Sequence, residues 1–258
     1  LLQDARALAA YRPLIRLLVI GQLKQRYRRS ALGLAWALIG PLVHTAVLSI
    51  AFTALFRDQL PHYPVYVLVG LVAWNFFAQT SSQGIEAAVS GSGLLQRVYL
   101  PRSVFVVAAL GGGLVNLAIA LVALLGVAAA SGAPLHLTWL LLPAAVALLA
   151  IFTLGVTLLA ATLAVYVGDV AHLYQLMVQA LFFLTPVAYP AEIVPDSFAW
   201  VVALSPVSLM IALFRDLLYL GRVPEAGTWL AALAVALGAL ACGWALFAWK
   251  ADDSVAYL

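Results

Sequence analysis

Charge is scarce in this sequence. Of 258 residues only 9% are Asp, Glu, Lys or Arg and 66% are hydrophobic, whereas soluble domains carry about 25% charged and roughly 45–50% apolar residues. With 13 cations and 10 acids, a soluble fold of this length cannot clothe its surface, so the composition is that of a membrane protein. Cysteine is nearly absent. Cys242 alone, set in an apolar run, excludes an intrachain disulfide and is expected to pack as a small buried hydrophobe. Lysine occurs only as Lys24 and Lys250, followed by Gln25 and Ala251, so no G-x-x-x-x-G-K-[ST] phosphate loop exists. The chain cannot hydrolyse ATP by that route. The H-E-x-x-H and G-x-S-x-G patterns are missing too, and no metal site is expected. A net charge of +3 argues against nucleic acid as a partner.

What is present is apolar length. About 20 apolar residues cross the hydrocarbon core as a helix, and six segments meet or approach this: 34–56, 65–83, 104–130, 139–167, 173–189 and 228–249. None holds an Asp, Glu, Lys or Arg. The fold expected is an all-α membrane domain over 34–258, preceded by an interfacial amphipathic segment over 1–33. No cleavable signal pattern stands at the start, so insertion is expected to use the internal spans. Two apolar runs too short to cross, 198–204 and 207–214, read as short extracytoplasmic helices before the last span; the rival reading joins them into a seventh span kinked at Pro206.

Orientation follows from the cations. With the N-terminus in the cytoplasm, Arg6, Arg12, Arg16, Lys24, Arg26, Arg28, Arg29, Arg97, Arg102 and Lys250 lie inside, and only Arg57, Arg215 and Arg222 lie outside. Both termini are then cytoplasmic. Lys24, Arg26, Arg28 and Arg29 crowd the lip of the first span. Ile20, Leu23 and Tyr27 share one helical side and Lys24 and Arg28 another. An interfacial helix among anionic headgroups fits, each cation contributing about 1 kcal/mol near the surface.

Intramembrane acids, bases or histidines serve ion-coupled transporters as relays. His44 is the only such residue here and is expected to be a packing residue. No repeat relates the two three-span halves, as secondary transporters often show. Any energy input must therefore come from another subunit.

Several blocks are specific in combination. Arg26-Tyr27-Arg28-Arg29-Ser30, with Leu32-Gly33, Trp36 and Pro41-Leu42, resembles the first-span signature of ABC exporter permeases of the second type, in the branch that exports polysaccharides and teichoic acids. "LQRVYLPR" (95–102) is similar to the cytoplasmic loop before span three of that family. "DVAHLYQL" (169–176) and "LTPVAYP" (184–190) resemble the entry and exit of span five, and "LSPVSLMIALFRDLLYLG" (204–221) its extracytoplasmic return segment. One departure is Gly168 before Asp169, where the family pattern has a basic residue; it weakens any charge pairing with an ATPase there.

The resemblance implies a homodimer of six-helix subunits in the bacterial inner membrane, docked on two copies of a cytoplasmic ABC ATPase that binds ATP and Mg. The chain itself is expected to bind no cofactor. The implied cargo is a lipid-linked polysaccharide of O-antigen type, with capsule and teichoic acid open. A same-type permease for a small drug, haem or lipid is the alternative, and a scaffold or intramembrane enzyme a remote one. A conduit for glycan needs aromatic faces and neutral groups that hold weakly. By resemblance spans one and five face the channel, which points to Phe52, Phe56, Phe182, Phe183 and Tyr189. Glu86, Arg97, Arg102 and Asp169 are expected at the ATPase.

Overall fold

The computed structural model describes residues 11–27, 35–56, 60–90 and 103–251. Among these the structure is helical, with no strand. The order is α1 (Arg12–Tyr27), α2 (Ala35–Phe56), α3 (Tyr63–Ser90), α4 (Ser103–Ala130), a 3₁₀ turn (Leu137–Leu141) running into α5 (Leu142–Tyr166), α6 (Asp169–Leu184), a second 3₁₀ turn (Ala191–Ile193), α7 (Asp196–Leu204), α8 (Pro206–Leu218) and α9 (Ala226–Ala251). Four are long and apolar enough to cross a membrane: Tyr63–Ser90, Ser103–Ala130, Leu137–Tyr166 and Ala226–Lys250. Leu38–Phe52 within α2, and α6, are shorter apolar helices.

The core is built around α3. Its residues from Val65 to Trp74 are buried without a break, the mark of a helix surrounded on all sides. It packs against α2, α4, α5, α6 and α8. Four polar side chains buried in this apolar interior satisfy themselves within their own helices. Ser81, Thr153, Thr157 and Thr162 each donate to the carbonyl four residues back, at 2.6 to 2.7 Å, so none needs a partner from outside.

Glycines set how closely the helices approach. The pairing of α5 with α9 is the most extensive in the fold, because a Cβ at Gly155 would strike the backbone of Ala239 and Leu240, and one at Gly243 the Gly155 carbonyl. The run at 111–113 serves two neighbours at once. Gly111 receives Val19 and Gly112 receives Gln22 from α1, while Gly113 receives Thr80 from α3. Small residues thus replace the hydrophobic driving force that lipid cannot supply.

Several expectations need correction. The expected second span 65–83 is too short: α3 runs to Ser90, so Glu86 lies on a helix and not in a loop. The expected fifth span 173–189 is shifted, for α6 starts at Asp169 and stops at Leu184. Pro186 ends it by pushing Thr185 into the extended region, φ −89 and ψ 130. Cys242 is exposed on α9, not buried. As expected, and against the rival single span, the apolar runs around Pro206 form two separate helices broken at Ser205, whose side chain caps α8 by accepting from the Ser208 N–H at 3.3 Å. Pro206 occupies the first turn of α8, where its missing N–H costs nothing.

A larger side chain at the α5–α9 contact is expected to destabilise the fold. Gly155→Leu should lower stability by about 1–3 kcal/mol through overpacking, read as a fall in the thermal unfolding midpoint of the detergent-purified protein. Gly126→Ala, which meets open space, should not lower it. Equal midpoints for Gly155→Leu and the native chain would refute the close-packing account.

Candidate functional site

The segment after α6 breaks the helix at Thr185 yet stays inside the protein. Thr185, Pro186, Val187 and Ala188 are all buried, and a non-helical backbone at that depth must find donors for its carbonyls. It finds three in succession. The Arg215 Nη2 donates to the Val187 carbonyl at 2.6 Å, the Tyr63 hydroxyl to that of Ala188 at 2.6 Å, and the Tyr66 hydroxyl to that of Tyr189 at 3.0 Å. Gly70 makes the approach possible, since a Cβ there would meet the Val187 carbonyl and the guanidinium.

Arg215 is only 8% exposed. Its guanidinium carbon lies 3.9 Å from the centre of the Tyr66 ring, a cation–π contact that partly replaces lost hydration. Its Nε has no hydrogen-bond partner among the described residues. Burial lowers the Arg215 pKa from its ordinary value, opposed by the neighbouring tyrosines and Glu192, but an arginine retains its proton. Tyr219 packs edge-on to Tyr66 and donates to the Pro61 carbonyl at 2.6 Å. Burial raises the Tyr219 pKa, with Arg215 acting in the opposite sense, so it stays a donor.

Below this clamp, α6 presents a divided surface. Of its residues only Val178 is buried. Phe182 turns inward, its ring 5.5 Å from that of Trp74 and edge-on, whereas Phe183 is 75% exposed. Leu173, Leu176 and Met177 are uncovered on the same helix. The Tyr189 hydroxyl donates to the Phe183 carbonyl at 2.8 Å, folding the end of the segment over α6.

At the opposite end of α6, Gln175 donates to Glu86 at 2.9 Å and so joins the last turns of α3 to the first of α6. Asp169 is exposed in the first turn of α6, where the helix dipole favours an acid. Nearby in the chain order, the Tyr166 hydroxyl donates to the Lys250 carbonyl at 2.9 Å, which pairs the ends of α5 and α9.

A protein-family model described as ABC-2 type transporter matches residues 13–219. This chain belongs to the ABC-2 type transporter family. An O-antigen export system permease protein RfbA of Myxococcus xanthus is 31% identical over 236 residues, covering 90% of each chain. A Klebsiella pneumoniae protein of the same name is 26% identical over 202 residues, 78% of each. The polysialic acid transport protein KpsM of Escherichia coli is 24% identical over 218 residues, 81% of this chain and 82% of its own.

The residues expected from sequence are scattered over this ABC-2 frame. Phe52 is half-buried against the core, while the Phe56 side chain is outside the described residues. Phe182, Phe183 and Tyr189 lie together at the end of α6. Glu86 and Asp169 are exposed; Arg97 and Arg102 lie outside the described residues. Lys24 is exposed on α1, Arg26 is on α1 with its side chain undescribed, and Arg28 and Arg29 lie outside the described residues. Sequence reasoning missed Arg215, Tyr63 and Tyr66, and it missed Gln175. The signal available was an arginine inside the largely apolar run LMIALFRDLL, downstream of the Thr185-Pro186 break.

Removing either donor strands a buried carbonyl. Tyr63→Phe and Arg215→Met are each expected to cost about 1–3 kcal/mol, measured as lower thermal unfolding midpoints. Variants as stable as the native chain would show that the broken segment does not depend on these donors.

Proposed function

We propose that this chain is the membrane-spanning subunit of an ATP-driven exporter that moves a lipid-linked polysaccharide of O-antigen type across the bacterial cytoplasmic membrane. One observation carries the reading: the similarity to an O-antigen export permease extends over 90% of both chains. In this reading α2 and α6 join the four longer helices as spans, giving six with both termini in the cytoplasm and residues 1–33 at the interface, where Lys24, Arg26, Arg28 and Arg29 meet anionic headgroups.

Two copies would pair across the faces that one copy leaves bare. Ile50 on α2 is 82% exposed and Phe183 on α6 is 75% exposed, and twelve helices enclose a wider seam than six. Symmetric pairing is the common solution. Phe52, Phe56, Phe182, Phe183 and Tyr189 would line that seam, offering rings to sugar C–H faces without fixed charge. Phe183→Ala is expected to lower export of surface polysaccharide several-fold at equal expression; unchanged export would remove Phe183 from the path.

The work comes from a separate cytoplasmic ATPase in two copies, which holds ATP and Mg. Glu86, Arg97, Arg102 and Asp169 are assigned to its docking surface. The Glu86–Gln175 bond supports this, since a push at the end of α3 passes directly to α6. Reversing charge at both Glu86 and Arg97 should abolish most permease-stimulated ATP hydrolysis in the purified complex. Stimulation at the native level would reject the docking assignment. The reading as a whole is tested by deleting the chromosomal copy: surface polysaccharide should vanish and return with the plasmid-borne chain. Unaltered surface polysaccharide after deletion would overturn it.

A further inference from the structure

A cleft of about 260 Å³ lies between α2, α3 and α4, and none of its lining residues comes from α6. Its walls are unusual for a span. Asn75, Gln79 and Gln83 recur every fourth residue of α3, forming one stripe about 12 Å long, while Trp36 and His44 face it from α2 and Asn116 from α4. Amides turned toward hydrocarbon are costly unless something polar meets them. Asn75, Gln79 and Gln83 make no side-chain hydrogen bond among the described residues.

The chemistry narrows the ligand. No lining residue is Asp, Glu, Lys or Arg and His44 is the one titratable side chain, so the cleft lacks the permanent cations, above all a bidentate arginine, that hold a phosphate or diphosphate. A hard cation needs several oxygens converging at 2.0–2.6 Å, and a stripe about 12 Å long is a track instead of a cage. Each amide offers two donors and one acceptor group, the complement of hydroxyls that both give and take. Trp36, 54% exposed, adds an apolar ring for C–H faces. The volume is below the roughly 300–1,000 Å³ of sites that enclose a whole drug-sized ligand, so it accommodates a short stretch of a longer molecule.

We propose that this cleft is a holding site for uncharged sugar residues of the transported glycan, separate from the aromatic row on α6. The inference rests on the polysaccharide-export reading. The lining comes from the first turns of α2 and the middle of α3 and α4. In the orientation proposed above, the cleft reaches from the middle of the membrane toward its cytoplasmic side, where the glycan would be engaged before it reaches the seam.

The test places p-benzoylphenylalanine at position 79 or 83 of the full chain, in cells that carry its ATPase and synthesise the polymer. After illumination, the permease band is probed with antiserum to the surface polysaccharide. A glycan-bearing adduct is expected at 79 and 83 and none at Val122, which is exposed on α4 but outside the cleft. The triple variant Asn75→Leu, Gln79→Leu, Gln83→Leu should cut surface polysaccharide about tenfold, the equivalent of one or two neutral hydrogen bonds, with Gln79→Asn and Gln83→Asn retaining most of it. Adducts to phospholipid alone, or full export by the triple leucine variant without any glycan adduct, would overturn the holding site and leave the export reading standing. Surface polysaccharide that does not depend on the chain at all would overturn the export reading itself.

Discussion

Inside a bilayer a backbone carbonyl has no water to turn to, and this constraint organises the molecule. Helices satisfy it along their length. At Thr185–Tyr189 the helix gives way to irregular, turning chain, and three side chains from α3 and α8 take over as donors. The buried Arg215 is the most demanding of them, because its charge needs the Tyr66 ring and the Val187 carbonyl in place together. Gly70 then has no freedom to carry a side chain. The core helix α3, the return helix α8 and the end of α6 are locked at one point.

The same constraint empties the apolar spans of ionised groups. Polar functions that remain there include hydroxyls bonded to their own helices, aromatic rings, neutral amides and His44 on α2. In the proposed reading, a conduit built this way would grip weakly and without preference for charge, which suits a polymer that must keep moving. In the same reading energy is delivered by a partner ATPase, and the Glu86–Gln175 bond ties the last turns of α3 to α6.

Much of this was legible in the residues. Long apolar runs fix helices over α2, α4, α5 and α9 to within about three residues, because nothing else satisfies so apolar a backbone, and Ser205-Pro206 announces the start of α8. Two errors have one source: hydropathy measures immersion in lipid, not helicity. It ended the second span at the polar tail 84–90, although those residues continue the helix, and it carried the fifth span through Pro186, although Thr185 cannot stay helical before a proline. The clamp was hidden for a different reason. Arg215 and the Tyr63–Tyr66 pair are about 150 residues apart in the chain, and only packing brings them together. The amide stripe on α3 went unread, because its meaning required α2 and α4 to close around it.

The central claim is that these spans contain no machinery for coupling to an ion gradient and that transport is powered through their cytoplasmic ends. Vesicles holding the purified chain with its ATPase partner, loaded on one side with lipid-linked glycan, measure this directly. Glycan should cross when ATP and Mg are supplied and should stay when only a proton or sodium gradient is imposed. Uphill movement of glycan by the chain alone, on an ion gradient without nucleotide, would contradict the account.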